Sequence, residues 1–297
     1  MKLCRFNTGT LSGALGVVES DVVYDISSVY SELKSQSYPL PQYDLFIAEL
    51  PRLLGSDNNS PIRAALAKAK SASQGIPLGQ VTFLPPIANP SKVIGAPINY
   101  QAHIVESKAD KGIEHGRNIT TIGDWGMFLK ANTSMIGVSE AIRLSFTDRR
   151  NDHEIELGVV IGKSGRNIAR TDAMDYVSGY MTCLDMTLRG PEFQCFRKSI
   201  DTYSVSGPYF VTKDEITDPN DLNLWLTVNG QPRQRSNTQR MVFDVQRLIE
   251  FASSFYTLHP GDIIMTGTPE GVGPVVAGDE IECGVQGVGE FKIKVVS

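Results

Sequence analysis

The run Asp152-His153-Glu154-Ile155-Glu156-Leu157-Gly158-Val159-Val160-Ile161 constrains this chain most, because it sets two carboxylates two residues apart inside an otherwise apolar segment. Written as a strand, it puts Glu154 and Glu156 on one face and Ile155, Leu157 and Val159 on the other. Gly158 continues the carboxylate face without a side chain. The Val-Val-Ile stretch reads as a strand buried on both faces. Two anions held side by side against an apolar sheet repel each other and lose hydration, a cost met by a raised pKa or by a cation. A divalent metal ion is the simpler resolution. Taken alone, Glu-x-Glu is more readily the wet face of an edge strand, since charged side chains are mostly exposed. A third oxygen ligand is needed to decide.

That ligand is Asp185, which ends the apolar run Met181-Thr182-Cys183-Leu184. Three carboxylates plus water suit an octahedral Mg²⁺ or Mn²⁺ with positions open to substrate, and Ca²⁺ is also compatible with hard oxygen donors; the competing role for Asp185 is to cap the next turn. The chain offers little else to a metal. Cys4, Cys183, Cys195 and Cys283 form no Cys-x-x-Cys pair and read as reduced thiols. His103, His115, His153 and His259 make no zinc motif.

At 297 residues the chain has room for one large domain or a main domain with a smaller companion. A net charge of −5 gives no electrostatic reason to expect nucleic acid. No apolar run approaches the roughly 20 residues of a membrane span, and no signal-peptide pattern opens the chain, so a cytoplasmic address is expected. Residues 1–84 read as a small N-terminal α/β domain: two short strands around Glu19-Ser20-Asp21, then an Ala/Lys-rich helix with Ser60 as N-cap and Pro61 at its first position. Pro85-Pro86-Ile87-Ala88-Asn89-Pro90 marks the boundary. Residues 85–297 read as strand-rich, with candidate strands at 93–95, 157–161, 177–184, 224–228, 263–266, 280–283 and 291–296. One helix runs through Val245, Leu248, Ile249, Ala252 and Phe255 and is expected to end at His259-Pro260-Gly261. Without sustained strand–helix alternation, the fold class is α+β, mainly β, and not doubly wound.

Three further segments carry chemistry. If 99–106 is helical, Asn99 can cap it, and His103 and Glu106 share a face at i and i+3. A carboxylate touching an imidazole presents a base to water; a plain surface His–Glu pair is the competing reading. Arg197-Lys198 follows Asp185 closely, so Lys198 can stabilise negative charge on a metal-bound oxygen. Thr266-Gly267-Thr268-Pro269-Glu270-Gly271 follows a strand, and its glycines let backbone amides approach a carboxylate. Gly162-Lys163-Ser164 is no phosphate loop, because the earlier glycine that motif needs falls at Leu157. The polar segment 107–121 is either a lid over the water or a surface loop.

Together these motifs, with Phe128-Leu129-Lys130, Lys198-Ser199 and Ser206-Gly207-Pro208, resemble the fumarylacetoacetate hydrolase family from about residue 90 to the C-terminus. The resemblance implies a mixed β-roll, usually dimeric, with a small extra N-terminal domain. It implies Mg²⁺ or Mn²⁺ on Glu154, Glu156 and Asp185; the dyad His103–Glu106 and Lys198 as catalytic groups; and Lys130, Arg189 and Thr268 near the substrate. The aspartate-to-lysine interval is shorter here than in many family members, so Lys198 is placed by its own Lys-Ser motif. The implied reaction is metal-dependent hydrolysis of a carbon–carbon bond in an acylpyruvate or related 2,4-dioxo acid, through a metal-bound enolate and a His–Glu-activated water. Decarboxylation or isomerisation of 2-oxo or 2-hydroxy-dienoic diacids shares that enolate and stays open, as does a non-catalytic metal-binding scaffold.

Overall fold

A computed structural model describes residues 1–55, 60–114 and 118–297. His115 and part of the 107–121 segment therefore lie outside the described residues. The acid-bearing run forms the strand Ile155–Ile161, with every residue buried. It pairs antiparallel with Val177–Asp185 on one side and with Ile263–Met265 on the other. This is a central position and not an edge, which is why the segment carries β-branched residues on both faces.

The strand belongs to a 12-stranded mixed sheet. From Ile263–Met265 the sheet continues to Val93–Gly95, in parallel, and then to Phe128–Lys130. In the other direction Val177–Asp185 pairs with Ser204–Thr212, which pairs with the first strand of the chain, Lys2–Asn7. The strand–turn–strand expected near residue 20 is present as Ala14–Glu19 and Val22–Asp25 and extends the same sheet. A five-stranded second sheet contains Gln231–Asn237, Asn223–Val228, Glu280–Val285 and Gly289–Val296. The mixed, strand-dominated α+β architecture agrees with the expected fold class.

Each face of the large sheet has its own core. Leu157, Val159 and Leu184 pack with Leu224, Ile281 and Ile293 of the second sheet and with Val245, Leu248 and Ile249 of the helix Val245–Phe255. Val160, Met181 and Phe210, on the opposite face, pack with Val29, Leu33, Phe46, Leu50 and Ile62 from the N-terminal helices. Burying a side chain of this size stabilises the fold by about 1.5–3 kcal/mol. Near the acids the face changes character. A Cβ on Gly158 would meet Cys183 Sγ at 2.6 Å, so the missing side chain makes room for the neighbouring strand's thiol.

Three local expectations need correction. The helix Val245–Phe255 stops before His259, because Tyr256 adopts an extended conformation. Ser60 does sit at the N-cap of the helix Pro61–Ala72, but its side chain makes no capping bond. Asn99 is not a cap either. The helix runs Gln101–Ala109 with Tyr100 at its N-cap, and the Asn99 amide instead donates to the Phe243 and Thr266 carbonyls at 2.9 and 2.8 Å and accepts from Phe243 N–H at 2.8 Å. A buried Asn satisfies more groups as a clasp between two loops than as a cap.

Candidate active site and metal centre

Strand register brings the acids together. Ile155 faces Leu184 across the ladder, and the Asp185 N–H donates to the Glu154 carbonyl at 2.9 Å. Ligand oxygens of Glu154, Glu156 and Asp185 consequently lie within 4.8 Å of one another, all three side chains buried. The three residues named from sequence thus form one cluster.

Cations surround this cluster unevenly. Lys198 Nζ donates to Glu154 Oε2 and Asp185 Oδ2, both at 2.7 Å, and to Thr187 Oγ1 at 2.6 Å. Arg189 bridges Asp152 at 2.8 Å and Glu154 at 2.9 Å. Lys130 donates to Asp185 and to the Tyr203 carbonyl, which sets it behind the acid; burial draws its ammonium below the usual lysine range, against the pull of Asp185. Among the described residues, Glu156 accepts only a backbone amide, Gly267 N–H at 2.6 Å on Oε2. Burial alone would raise Glu154, yet Lys198 and Arg189 outweigh it and hold that carboxyl well below its ordinary range. Glu156 moves the other way: burial, then the charges of Asp185 and Glu154, push it well above.

This imbalance is the test of fit for a divalent ion. Three convergent hard oxygens, one of which is kept from ionising by burial and by the charges of the other two acids, match Mg²⁺ or Mn²⁺ better than any soft-metal site. Glu154, Glu156 and Asp185 are the residues that would hold it.

The predicted dyad is formed. His103 Nδ1 lies 2.8 Å from Glu106 Oε2, and Glu106 Oε1 accepts the Gly271 N–H at 2.9 Å. A carboxylate on Nδ1 fixes the tautomer that leaves the lone pair on Nε2. Gly267 and Gly271 make these contacts possible. Both have φ near +90°, and a Cβ would meet Asn99 Cβ at 2.7 Å in one case and the Arg233 carbonyl oxygen at 2.1 Å in the other. The glycine loop does aim amides at carboxylates, and those carboxylates are the protein's own.

His103, Glu154, Glu156, Arg189, Lys198 and Thr268 line a common cavity of about 30 Å³, room for a water or two. A larger cleft of about 890 Å³, walled in part by Arg52, Lys163 and His259, lies away from the acids.

Two residues of the site escaped sequence reasoning. Asp152 is fully buried and accepts from Arg150 and Arg189, both at 2.8 Å; it sits in the same alternation as the two glutamates, which was the available signal. Gln234 comes from the second sheet. Its Oε1 faces Ile155 N–H at 3.1 Å and His153 Nδ1 at 3.2 Å, and its Nε2 donates to Thr268 Oγ1 at 2.8 Å and the Pro269 carbonyl at 2.9 Å. No local pattern marks it.

The family model for the C-terminal part of fumarylacetoacetate (FAA) hydrolase matches residues 92–296. The chain belongs to the fumarylacetoacetate hydrolase family. It is 47% identical over 299 residues to maleylpyruvate hydrolase of Aquipseudomonas alcaligenes, with 100% of both chains covered. A crystal structure of maleylpyruvate hydrolase from Sphingobium sp. SYK-6, in complex with manganese(II) ion and pyruvate, matches with a TM-score of 0.80 and 37% identity, covering 100% of this chain and 99% of that one. A mitochondrial oxaloacetate tautomerase of Rattus norvegicus is 39% identical over 233 residues, 74% of this chain and 71% of the relative. The protein is therefore a divalent-metal-dependent hydrolase acting on carbon–carbon bonds. No helix among the described residues is long and apolar enough to cross a membrane.

Proposed function

We propose that the enzyme cleaves maleylpyruvate, or an acylpyruvate close to it, between the pyruvyl methylene and the distal acyl carbonyl. The observation that carries this reading is the His103–Glu106 pair, hydrogen-bonded at 2.8 Å and sharing one cavity with the three acids. A divalent cation held by Glu154, Glu156 and Asp185 would supply Lewis-acid polarisation of the 2-oxo acid. His103 Nε2 takes a proton from water while Glu106 holds the Nδ1 proton in place, a role worth roughly 10²–10⁴ in rate. The water oxygen attacks the distal carbonyl. The electron pair of the broken bond leaves with the pyruvyl methylene carbon, which regains a proton from the imidazolium. Lys198 Nζ supplies positive charge to the oxygens that become negative. Arg189, anchored by Asp152, and Thr268, anchored by Gln234, orient the substrate, and Lys130 steadies Asp185.

Steady-state assays of the Mn²⁺-loaded enzyme on maleylpyruvate, acetylpyruvate and oxaloacetate test this. Release of pyruvate and maleate is expected. Failure to cleave any acylpyruvate, beside rapid keto–enol exchange or loss of CO₂ from oxaloacetate, overturns it. Similarity to the tautomerase favours that second reading to the extent that His103 and Glu106 prove dispensable.

The proposal extends to organisation. Residues 1–84 are taken as a small N-terminal domain and 85–297 as the catalytic domain, in keeping with the family match beginning at residue 92. Four free cysteines suit a reducing cytoplasm. A homodimer is supported by the exposed Phe193 and Phe196, 86% and 74% accessible in the single chain.

A further inference from the structure

Ser107 stands on the dyad helix Gln101–Ala109, four residues beyond His103 and on the same face. It is fully buried and lines the small cavity that His103, Glu154 and Glu156 also line. Its hydroxyl has no hydrogen-bond partner among the described residues. A helical serine ordinarily turns its hydroxyl back on its own helix. Ser35, Ser253 and Ser254 do so here, donating to the carbonyls of Glu32, Glu250 and Phe251 at 2.7, 3.1 and 2.7 Å. Ser107 forgoes that bond. A buried hydroxyl left unpaired costs free energy that a hydrogen-bonding guest would recover.

The size of the cavity says what the guest is. About 30 Å³ beside the hydroxyl admits water. A water held in a dry site needs at least two polar partners. His103 is one of them, because Glu106 at 2.8 Å on Nδ1 leaves Nε2 to accept. Most other polar groups of the cavity are committed. Lys198 and Arg189 are engaged by carboxylates, and Thr268 Oγ1 accepts from Gln234 at 2.8 Å. Ser107 Oγ keeps both its donor and its acceptor capacity unspent among the described residues.

We infer that Ser107 is a positioning residue for the attacking water, holding it against His103 from the next turn of the same helix. This inference rests on the acylpyruvate hydrolase reading above. The water gives one hydrogen to His103 Nε2 and the other to Ser107 Oγ, which leaves an oxygen lone pair for the distal carbonyl carbon. As the new carbon–oxygen bond forms, the proton on the Nε2 side passes to the imidazole and the carbonyl π pair moves onto its own oxygen. Ser107 keeps its own proton throughout and is neither base nor nucleophile. Proton transfer between His103 and the pyruvyl carbon involves no attacking water, so Ser107 serves hydrolysis alone.

The test sets two reactions of the Mn²⁺-loaded enzyme side by side: cleavage of acetylpyruvate, and exchange of the methyl hydrogens of pyruvate in D₂O followed by NMR. Ser107→Ala is expected to lower kcat for cleavage about tenfold, with KM and the exchange rate each within about twofold of wild type. Alanine is the better helix former, so the dyad helix is kept. Ser107→Cys, which keeps the shape and offers only a weak hydrogen-bonding sulfur, should lose cleavage nearly as far. An equal fall in cleavage and exchange would mean that the serine merely supports the helix, and overturns the assignment. Unchanged cleavage in the alanine variant, or a cysteine variant at the wild-type rate, overturns it too. If wild type cleaves without exchanging pyruvate, the cysteine variant decides alone. A wild-type enzyme that cleaves no acylpyruvate refutes the hydrolase reading itself, and the water site with it, before any variant is made.

Discussion

Replacing Glu156 by Gln should stabilise the metal-free protein while abolishing its response to metal. Glu156 is 2% exposed, has Glu154 and Asp185 beside it, and accepts the Gly267 N–H on Oε2 at 2.6 Å. Burial first, and then those two charges, raise its pKa. A carboxyl raised in the folded state binds its proton more tightly there than when unfolded, so its ionisation opposes folding at any pH above the unfolded value. Glutamine keeps the shape and can still accept from Gly267. Removing an uncompensated buried charge is worth about 1–3 kcal/mol. With an unfolding entropy of roughly 0.6 kcal/mol/K for a chain of this length, that is a rise in Tm of about 2–5 °C.

Calorimetry in chelator at about pH 8 should place Glu156→Gln above wild type, and the gap should close on acidification as wild-type Glu156 protonates. Mn²⁺ at about 100 times its Kd then adds about 2.7 kcal/mol to the wild-type protein, or ~4 °C, and much less to the variant, so most or all of the variant's lead is lost. A variant less stable than wild type in chelator, or equal gains with Mn²⁺, would refute the reasoning.

Other outcomes follow from the same geometry. Glu106→Gln should lower kcat about 10²–10⁴-fold with Mn²⁺ affinity kept, because the residue touches His103 and not the metal acids; turnover at the wild-type rate would remove it from the base. Mn²⁺ affinity, read by titration calorimetry, should rise with pH by up to about tenfold per unit until Glu156 is ionised, and a flat profile would contradict its raised pKa. Gln234→Leu should cost about 2–4 kcal/mol in denaturant unfolding, since it strands the Ile155 N–H, His153 and Thr268 in a dry interior; a loss below ~1 kcal/mol would mean those groups find other partners.

What could be read from the chain depended on distance along it. The acid face was legible because a period of two places Glu154 and Glu156 together within three residues, and the dyad because i and i+3 meet on any helix. Asp185 needed only a strand ending at an acid. Asn99 and Gln234 were not legible, since each closes contacts with partners more than 30 residues away in sequence and its role exists only once two loops or two sheets meet. For the same reason no local pattern announces that the first strand of the chain pairs with Ser204–Thr212. Lys130 illustrates a different limit. Its residue type suits a substrate contact, but only coordinates reveal that it stands behind Asp185.

The Gly271 N–H bond to Glu106 also ties two parts of the site together. One carboxylate holds His103 through Oε2 and the glycine loop through Oε1, and the same loop reaches Glu156 through the Gly267 N–H. The base and the metal acids therefore share a single fastening. A substitution in that loop that forced out either amide would disturb both at once, without altering any of their side chains.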